Sequence, residues 1–154
     1  MQYGVRLTRV AGTPLLVVRR RATQSELSTV VPDACGTVWT FIRRSQVASP
    51  GRNVAVYLND RIDLEVGVEV RADAAADGEV RRSATPDGVA ATTTHLGPYS
   101  QLHKAHDAIR QWCGANQHRF VGPSWEVYGH WTDDAEKLRT DVFYLVTADP
   151  SAAI

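Results

Sequence analysis

Two rhythms of apolar positions alternate along this chain. In the second half, Leu102, Ala105, His106, Ile109 and Trp112 or Cys113 recur three and four residues apart on one stripe, which predicts a helix over about 99–116. Around it, residues 89–96, 124–131 and 138–146 are rich in β-branched and aromatic side chains and read as strands. The first half repeats the order. Residues 5–23 hold two apolar stretches split by the turn signal Gly12-Thr13-Pro14. Pro32-Asp33 then suits a helix start, since proline is tolerated in the first turn and aspartate complements the helix dipole. The stripe Val31, Cys35, Val38, Phe41 and Ile42 continues that helix until Ser49-Pro50-Gly51. Strands over 54–59 and 63–70 follow, joined by a polar turn at Asn59-Asp60-Arg61. Residues 71–87 are rich in Ala, Asp and Gly and lack a period, so they read as a linker.

The unit strand-helix-strand-strand is therefore written twice. A shift of 71 positions carries Val38 onto Ile109, Phe41 onto Trp112, Gly51 onto Gly122, Val54 onto Trp125, Val56 onto Val127 and Tyr57 onto Tyr128 without a gap. Beyond a longer second hairpin the shift becomes 76, and Glu65 falls on Asp141. Such a period signals a duplicated supersecondary unit. The predicted fold is α+β: one domain over 1–154, with repeat 1 at about 5–70, the linker at 71–87 and repeat 2 at about 88–147. Tandem units form an antiparallel sheet with two helices on one face. The pair that differs in kind is Ala55 and Glu126, so the duplicated scaffold carries a carboxylate in one half alone.

That carboxylate sits in Gly122-Pro123-Ser124-Trp125-Glu126-Val127-Tyr128. Alternation puts Glu126 and Tyr128 on one face of the strand, and Trp125 and Val127 on the other, packed on the helices. A carboxylate beside a tyrosine suits a cationic or amphipathic aromatic ligand, through charge and ring contact. Burial in an apolar cleft would raise its affinity for protons, a property useful to a general base. Tyr57 should line the opposite wall. Asp141 and Phe143 share a face of the last strand and are expected at the pocket. Tyr99 reaches the cleft from the helix entry or else packs across the helix start. Trp39 lies off its helical stripe, toward a rim. Trp112 is on the stripe and suits core packing or the ligand wall.

Composition narrows the function. The 154 residues carry 17 Lys and Arg against 17 Asp and Glu, a formal net charge of zero, so there is no cationic surplus for nucleic acid. No apolar run reaches membrane-spanning length and no signal-peptide pattern opens the chain, which points to the cytoplasm. His103 and His106 have metal-pair spacing, but no third ligand stands at a recognisable interval; neither metal nor cofactor is expected. Cys35 and Cys113 read as small helix hydrophobes. A monomer or weak homodimer is expected.

Gly97-Pro98-Tyr99, the helix bearing Leu102, Ile109 and Trp112, then Gly122-Pro123 and Glu126-Val127-Tyr128 together resemble the GyrI-like small-molecule-binding domain family, which includes the effector-binding domains of multidrug-responsive transcription activators. The closing run Thr140-Asp141-Val142-Phe143-Tyr144-Leu145-Val146 is similar to that family's last strand, with Asp141 in place of a glutamate. The resemblance implies a concave sheet whose ligand cleft lies on the helix-free face, with Glu126 as the ligand-facing acid. With no helix-turn-helix segment ahead of the repeats, it implies a stand-alone member. Its ligand would be an aromatic or cationic drug or toxin. Some stand-alone relatives resemble hydrolases that open the strained cyclopropane of DNA-alkylating natural products, and there Glu126 would position or activate water, with Tyr57 and Tyr128 beside it.

Overall fold

The structure, a computed structural model, describes residues 3–59 and 63–147. Its elements are β1 (Arg6–Val10), β2 (Pro14–Arg21), α1 (Leu27–Arg44), β3 (Asn53–Tyr57), β4 (Asp63–Glu69), β5 (Arg81–Ala84), β6 (Gly88–Leu96), α2 (His103–Ala115), β7 (Phe120–Tyr128) and β8 (Arg139–Val146). The strands form one antiparallel sheet in the order β1-β6-β8-β7-β3-β4-β2-β5. Outward from the central β3/β7 pair the order reads alike in both directions, so the predicted repeats β2-α1-β3-β4 and β6-α2-β7-β8 are related by a pseudo-twofold axis. Across that pair Ala55 stands opposite Glu126. These two are also repeat mates (126 − 55 = 71), so the axis passes between them.

Three local expectations are corrected. Helix α1 begins five residues before Pro32, after a 3₁₀ turn at Gln24–Glu26. The signal is a capping box: the Thr23 N–H donates to Glu26 Oε1 at 2.9 Å, and Pro32 falls inside the helix. Residues 71–87 are not linker throughout, since β5 pairs there with β2, Arg81 opposite Val17 and Ala84 opposite Pro14. Its short exposed run offers no apolar alternation because pairing with an edge strand needs only backbone groups. Strand β7 starts at Phe120 and carries an irregularity before Ser124, where Gly122 takes φ 138°. Asp60 and Arg61 of the turn expected between β3 and β4 lie outside the described residues.

Both helices lie on one face. Helix α1 packs on β2 and β4, burying Ala34, Val38, Phe41 and Ile42 against Leu16, Val18, Leu64, Val66 and Val68. Helix α2 packs on β6 and β8, burying Ala105, Ile109 and Cys113 against Ala91, Val142 and Val146. Each large apolar side chain among them contributes roughly 1.5–3 kcal/mol relative to exposure. The central strands β3 and β7 are left between the helices.

The helix-free face is also packed. Leu15 and Val17 of β2 share one cluster with Ala90 of β6, although four strands separate β2 from β6 in the sheet. The sheet must therefore curl toward that face. The crossing connectors close the curl, with the Thr13 N–H donating to Thr85 Oγ1 (2.8 Å) and the Thr85 N–H to Thr13 O (3.0 Å). This corrects the expected placement of β7: Trp125 and Val127 fill the curl, and Glu126 faces the helices. The expected alternation holds, but both faces of β7 are buried, so polarity did not reveal which one the helices cover.

Candidate functional site

Between the helices, β3 and β7 present Ala55, Tyr57, Glu126 and Tyr128 on one face. Glu126 is 4% exposed, and its carboxylate accepts from three sides. The Tyr57 hydroxyl donates to Oε1 at 2.9 Å and the Tyr128 hydroxyl donates to the same oxygen at 2.5 Å. His106 Nε2 lies 2.6 Å from Oε2. The other imidazole nitrogen, Nδ1, is 2.6 Å from the Tyr144 hydroxyl of β8, which also accepts from Arg110 Nη2 at 2.9 Å. A hydrogen-bonded chain thus runs from the half-exposed Arg110 through Tyr144 and His106 to Glu126.

Burial pushes the Glu126 carboxyl toward higher pKa. The His106 hydrogen bond and charge, joined by the bonds from Tyr128 and Tyr57, outweigh burial and hold it below its ordinary value. The expected rise in proton affinity is thereby corrected: the carboxylate is buried, but well supplied with donors. Burial and the Glu126 charge hold the Tyr128 phenol well above its ordinary range.

The two walls of the gap are repeat mates with unlike chemistry. The shift of 71 pairs His106 with Cys35 and Arg110 with Trp39, so α2 supplies an imidazole and a guanidinium where α1 supplies a thiol and an indole. Cys35 is near enough to act electrostatically on Tyr99 and Tyr128, and burial pushes its own thiol up to about 11. Trp39 donates its indole N–H to Asn53 Oδ1 at 2.6 Å, and Asn53 stands opposite Tyr128 in the sheet. Tyr99 is 43% exposed at the entry to α2, its ring edge-on to Tyr128 at 5.9 Å. Tyr99 and Tyr128 thus lie above the carboxylate toward solvent.

Of the residues expected at the site, Glu126, Tyr57, Tyr128, Tyr99 and Trp39 are gathered here, and three are not. Asp141 and Phe143 lie on the helix-free face, because their register opposite Val127 and Trp125 fixes them on the side that Glu126 does not occupy. Asp141 accepts from Thr94 Oγ1 and Arg139 Nε and lies 3.8 Å from Arg52; Phe143 stacks on Trp125 at 5.1 Å. Glu65, the repeat mate of Asp141, is likewise turned away, bonded to Arg19 and Ser83. Trp112 sits in the last turns of α2, stacked on His118. His103 is exposed while His106 is buried, and among the described residues no three His, Cys, Asp or Glu side chains gather to hold a metal.

Sequence reading missed His106, Tyr144 and Arg110 as site residues. The available signal was a histidine in the middle of an apolar stripe, between Ala105 and Ile109. An open hollow of about 370 Å³ lies elsewhere, between the end of α1 and residues 71–77, and holds none of these groups.

No helix among the described residues is long and apolar enough to cross a membrane. Nothing among the curated proteins matches the chain. Solved structures do match. The C-terminal domain of EcmrR is similar over 96% of this chain and 99% of that one, at 18% identity and TM-score 0.76. SAV2435 bound to tetraphenylphosphonium is similar over 96% and 95%, at 12% identity and TM-score 0.68. A hydrolase from Listeria innocua is similar over 93% and 91%, at 12% identity and TM-score 0.62. At these identities the likeness establishes the fold. The model of the GyrI-like small molecule binding domain matches residues 58–146, more than half of the sequence, and the chain belongs to that family.

Proposed function

We propose that this protein binds amphipathic aromatic compounds, cations above all, in the gap between α1 and α2, with Glu126 as the charge anchor. The observation that carries the reading is a carboxylate buried on the pseudo-twofold axis under aromatic rings, with Trp39 on one wall and His106 on the other. A buried charge is costly unless it is paired. Here two phenols and an imidazole hold it ionised, ready for a cation whose rings replace Tyr99 and Tyr128 above it. Turning the Tyr128 ring aside gives up its bond to Glu126, and the charge pairing and ring stacking of such a ligand take its place. SAV2435, of the same fold, has been seen with a lipophilic aromatic cation, which supports this class of ligand. Zero net charge supports a role without direct contact to nucleic acid, such as holding a drug or toxin that has entered the cytoplasm.

The test is a fluorescence titration with tetraphenylphosphonium and with neutral triphenylphosphine oxide. Tighter binding of the cation supports the reading, and equal or absent binding of both removes it.

A second reading is hydrolysis of a cyclopropane-containing alkylator, favoured by the two phenols flanking Glu126. Glu126 would take a proton from water as its oxygen bonds to a ring carbon. The breaking C–C bond would pass its electrons to a conjugated carbonyl oxygen, which takes a proton from Tyr57 or Tyr128. The lowered proton affinity of Glu126 makes it a weak base, so binding is the first reading. Mass spectrometry of such a compound after incubation decides between them: a product heavier by one water means catalysis, and unchanged compound retained by the protein means binding.

A further inference from the structure

We infer that His106 is the exchangeable counter-ion of this site, so that an aromatic cation entering beside Glu126 displaces one proton from the protein. This rests on reading the gap as a cation site. The geometry points to it because the imidazole already stands against the carboxylate as its partner, 2.6 Å from Oε2 and 1% exposed. Under this exchange the ligand-free pair is a protonated His106 and an ionised Glu126, neutral together. A second cation at the same carboxylate would crowd two like charges around one anion in a medium that screens poorly, and the mobile one of the two is the proton. The exchange balances: imidazolium, carboxylate and ligand cation become neutral imidazole, carboxylate–cation pair and one free proton.

Tyr144 lets His106 change charge without moving. Its hydroxyl can accept from a protonated Nδ1 or donate to a bare one, while accepting from Arg110 in either state.

Three of the groups near His106 are ill placed to release the proton near neutrality. His106 is bonded to Glu126 of β7 and Tyr144 of β8; Tyr128 and Tyr57 of β3 share the Glu126 carboxylate, Arg110 of its own helix with Asp107 beyond shares the Tyr144 hydroxyl, Cys35 of α1 lies near Tyr128, and His95 of β6 is bonded to Tyr3 and Pro98. Glu126 is held below its ordinary carboxyl range, Tyr128 well above its phenol range, and Cys35 at about 11. Imidazole is the side chain whose ordinary titration lies between them. The repeat mate of His106 is the thiol Cys35, so the exchange belongs to one wall alone.

The test is calorimetric titration of the full chain with tetraphenylphosphonium at fixed pH in buffers of different ionisation enthalpy, then across pH 5.5–8.5. The expected result is buffer-dependent heat reporting proton release. Affinity should rise with pH by up to about tenfold per unit and level off once His106 is neutral before binding. Triphenylphosphine oxide should bind with no such slope. In His106→Gln the slope and the released proton should vanish. The wild-type proton count stands even if that variant fails to fold, and Tyr144→Phe should then move the midpoint of the pH profile. Cation binding that is flat in pH, with no proton released, overturns the exchange and leaves the binding function standing. No binding of the cation at any pH overturns both.

Discussion

Replacing Glu126 by Gln is the most informative single perturbation, because the site can accommodate it. Both tyrosine hydroxyls donate to Oε1, and a glutamine carbonyl placed there accepts them equally. The amide nitrogen then faces His106 Nε2 and donates to it, provided the ring carries its proton on Nδ1, where the Tyr144 hydroxyl accepts it. The charge is lost while the shape and most hydrogen bonds stay. A ligand cation centred about 5 Å from the carboxylate gains roughly 3 kcal/mol at an effective dielectric of 20, worth about 10²-fold in affinity. Part of that is offset by the proton the cation displaces, so tetraphenylphosphonium should weaken by about 10- to 100-fold. Neutral triphenylphosphine oxide should change by less than about threefold, since it meets the same rings and volume. The assay is a paired titration of wild type and variant with both ligands at pH 8, with thermal unfolding as the check on folding. An equal loss for both ligands would mean that the substitution damages the gap rather than the anchor. An unchanged cation affinity would remove Glu126 as the anchor.

Tyr57→Phe and Tyr128→Phe each delete one donor to Glu126 Oε1; each should cost about 1.5–3 kcal/mol in denaturant unfolding, the range for a bond to a charged group. The lowered pKa of Glu126 also makes a pH prediction. A depressed carboxyl contributes stability that is present above its ordinary value of 4.5 and is lost as pH falls through the lower folded value, so wild type should lose its advantage over Glu126→Gln in unfolding experiments below that range. Gly67→Ala should abolish folded protein in circular dichroism, because a Cβ there would stand 1.8 Å from the Leu16 carbonyl oxygen, backbone that can yield only if β2 and β4 separate.

Much of the architecture could be read from the chain. Helical stripes and alternating strands are local, and the repeat aligned them without a gap, so Tyr57 and Tyr128 could be named as partners from numbering alone. The start of α1 is harder to read because a Pro-Asp pair draws the boundary inward, past the capping box at Thr23 and Glu26. Strand β5 escapes because four residues on an edge carry no apolar signature. Site residues noticed for their side chains (Glu126, Tyr57, Tyr128, Tyr99, Trp39) came together. His106 was visible as a member of a buried stripe, yet the stripe does not say which of its members meets a carboxylate 20 positions away.

The order of elements, the duplication and the presence of one unmatched carboxylate at position 126 follow from neighbours in the chain, where 3.6- and 2-residue periods hold. Which face of β7 the helices cover does not follow, because the sheet curls until Leu15 of β2 packs with Ala90 of β6 and both faces become dry. That curl, closed at Thr13 and Thr85, sends Asp141 and Phe143 to the side away from the site and turns Glu126 toward His106. The proton affinity of Glu126 also depends on three donors, one from β3, one from α2 and one from its own strand. Burial alone would raise it, and their meeting at one carboxylate reverses the sign.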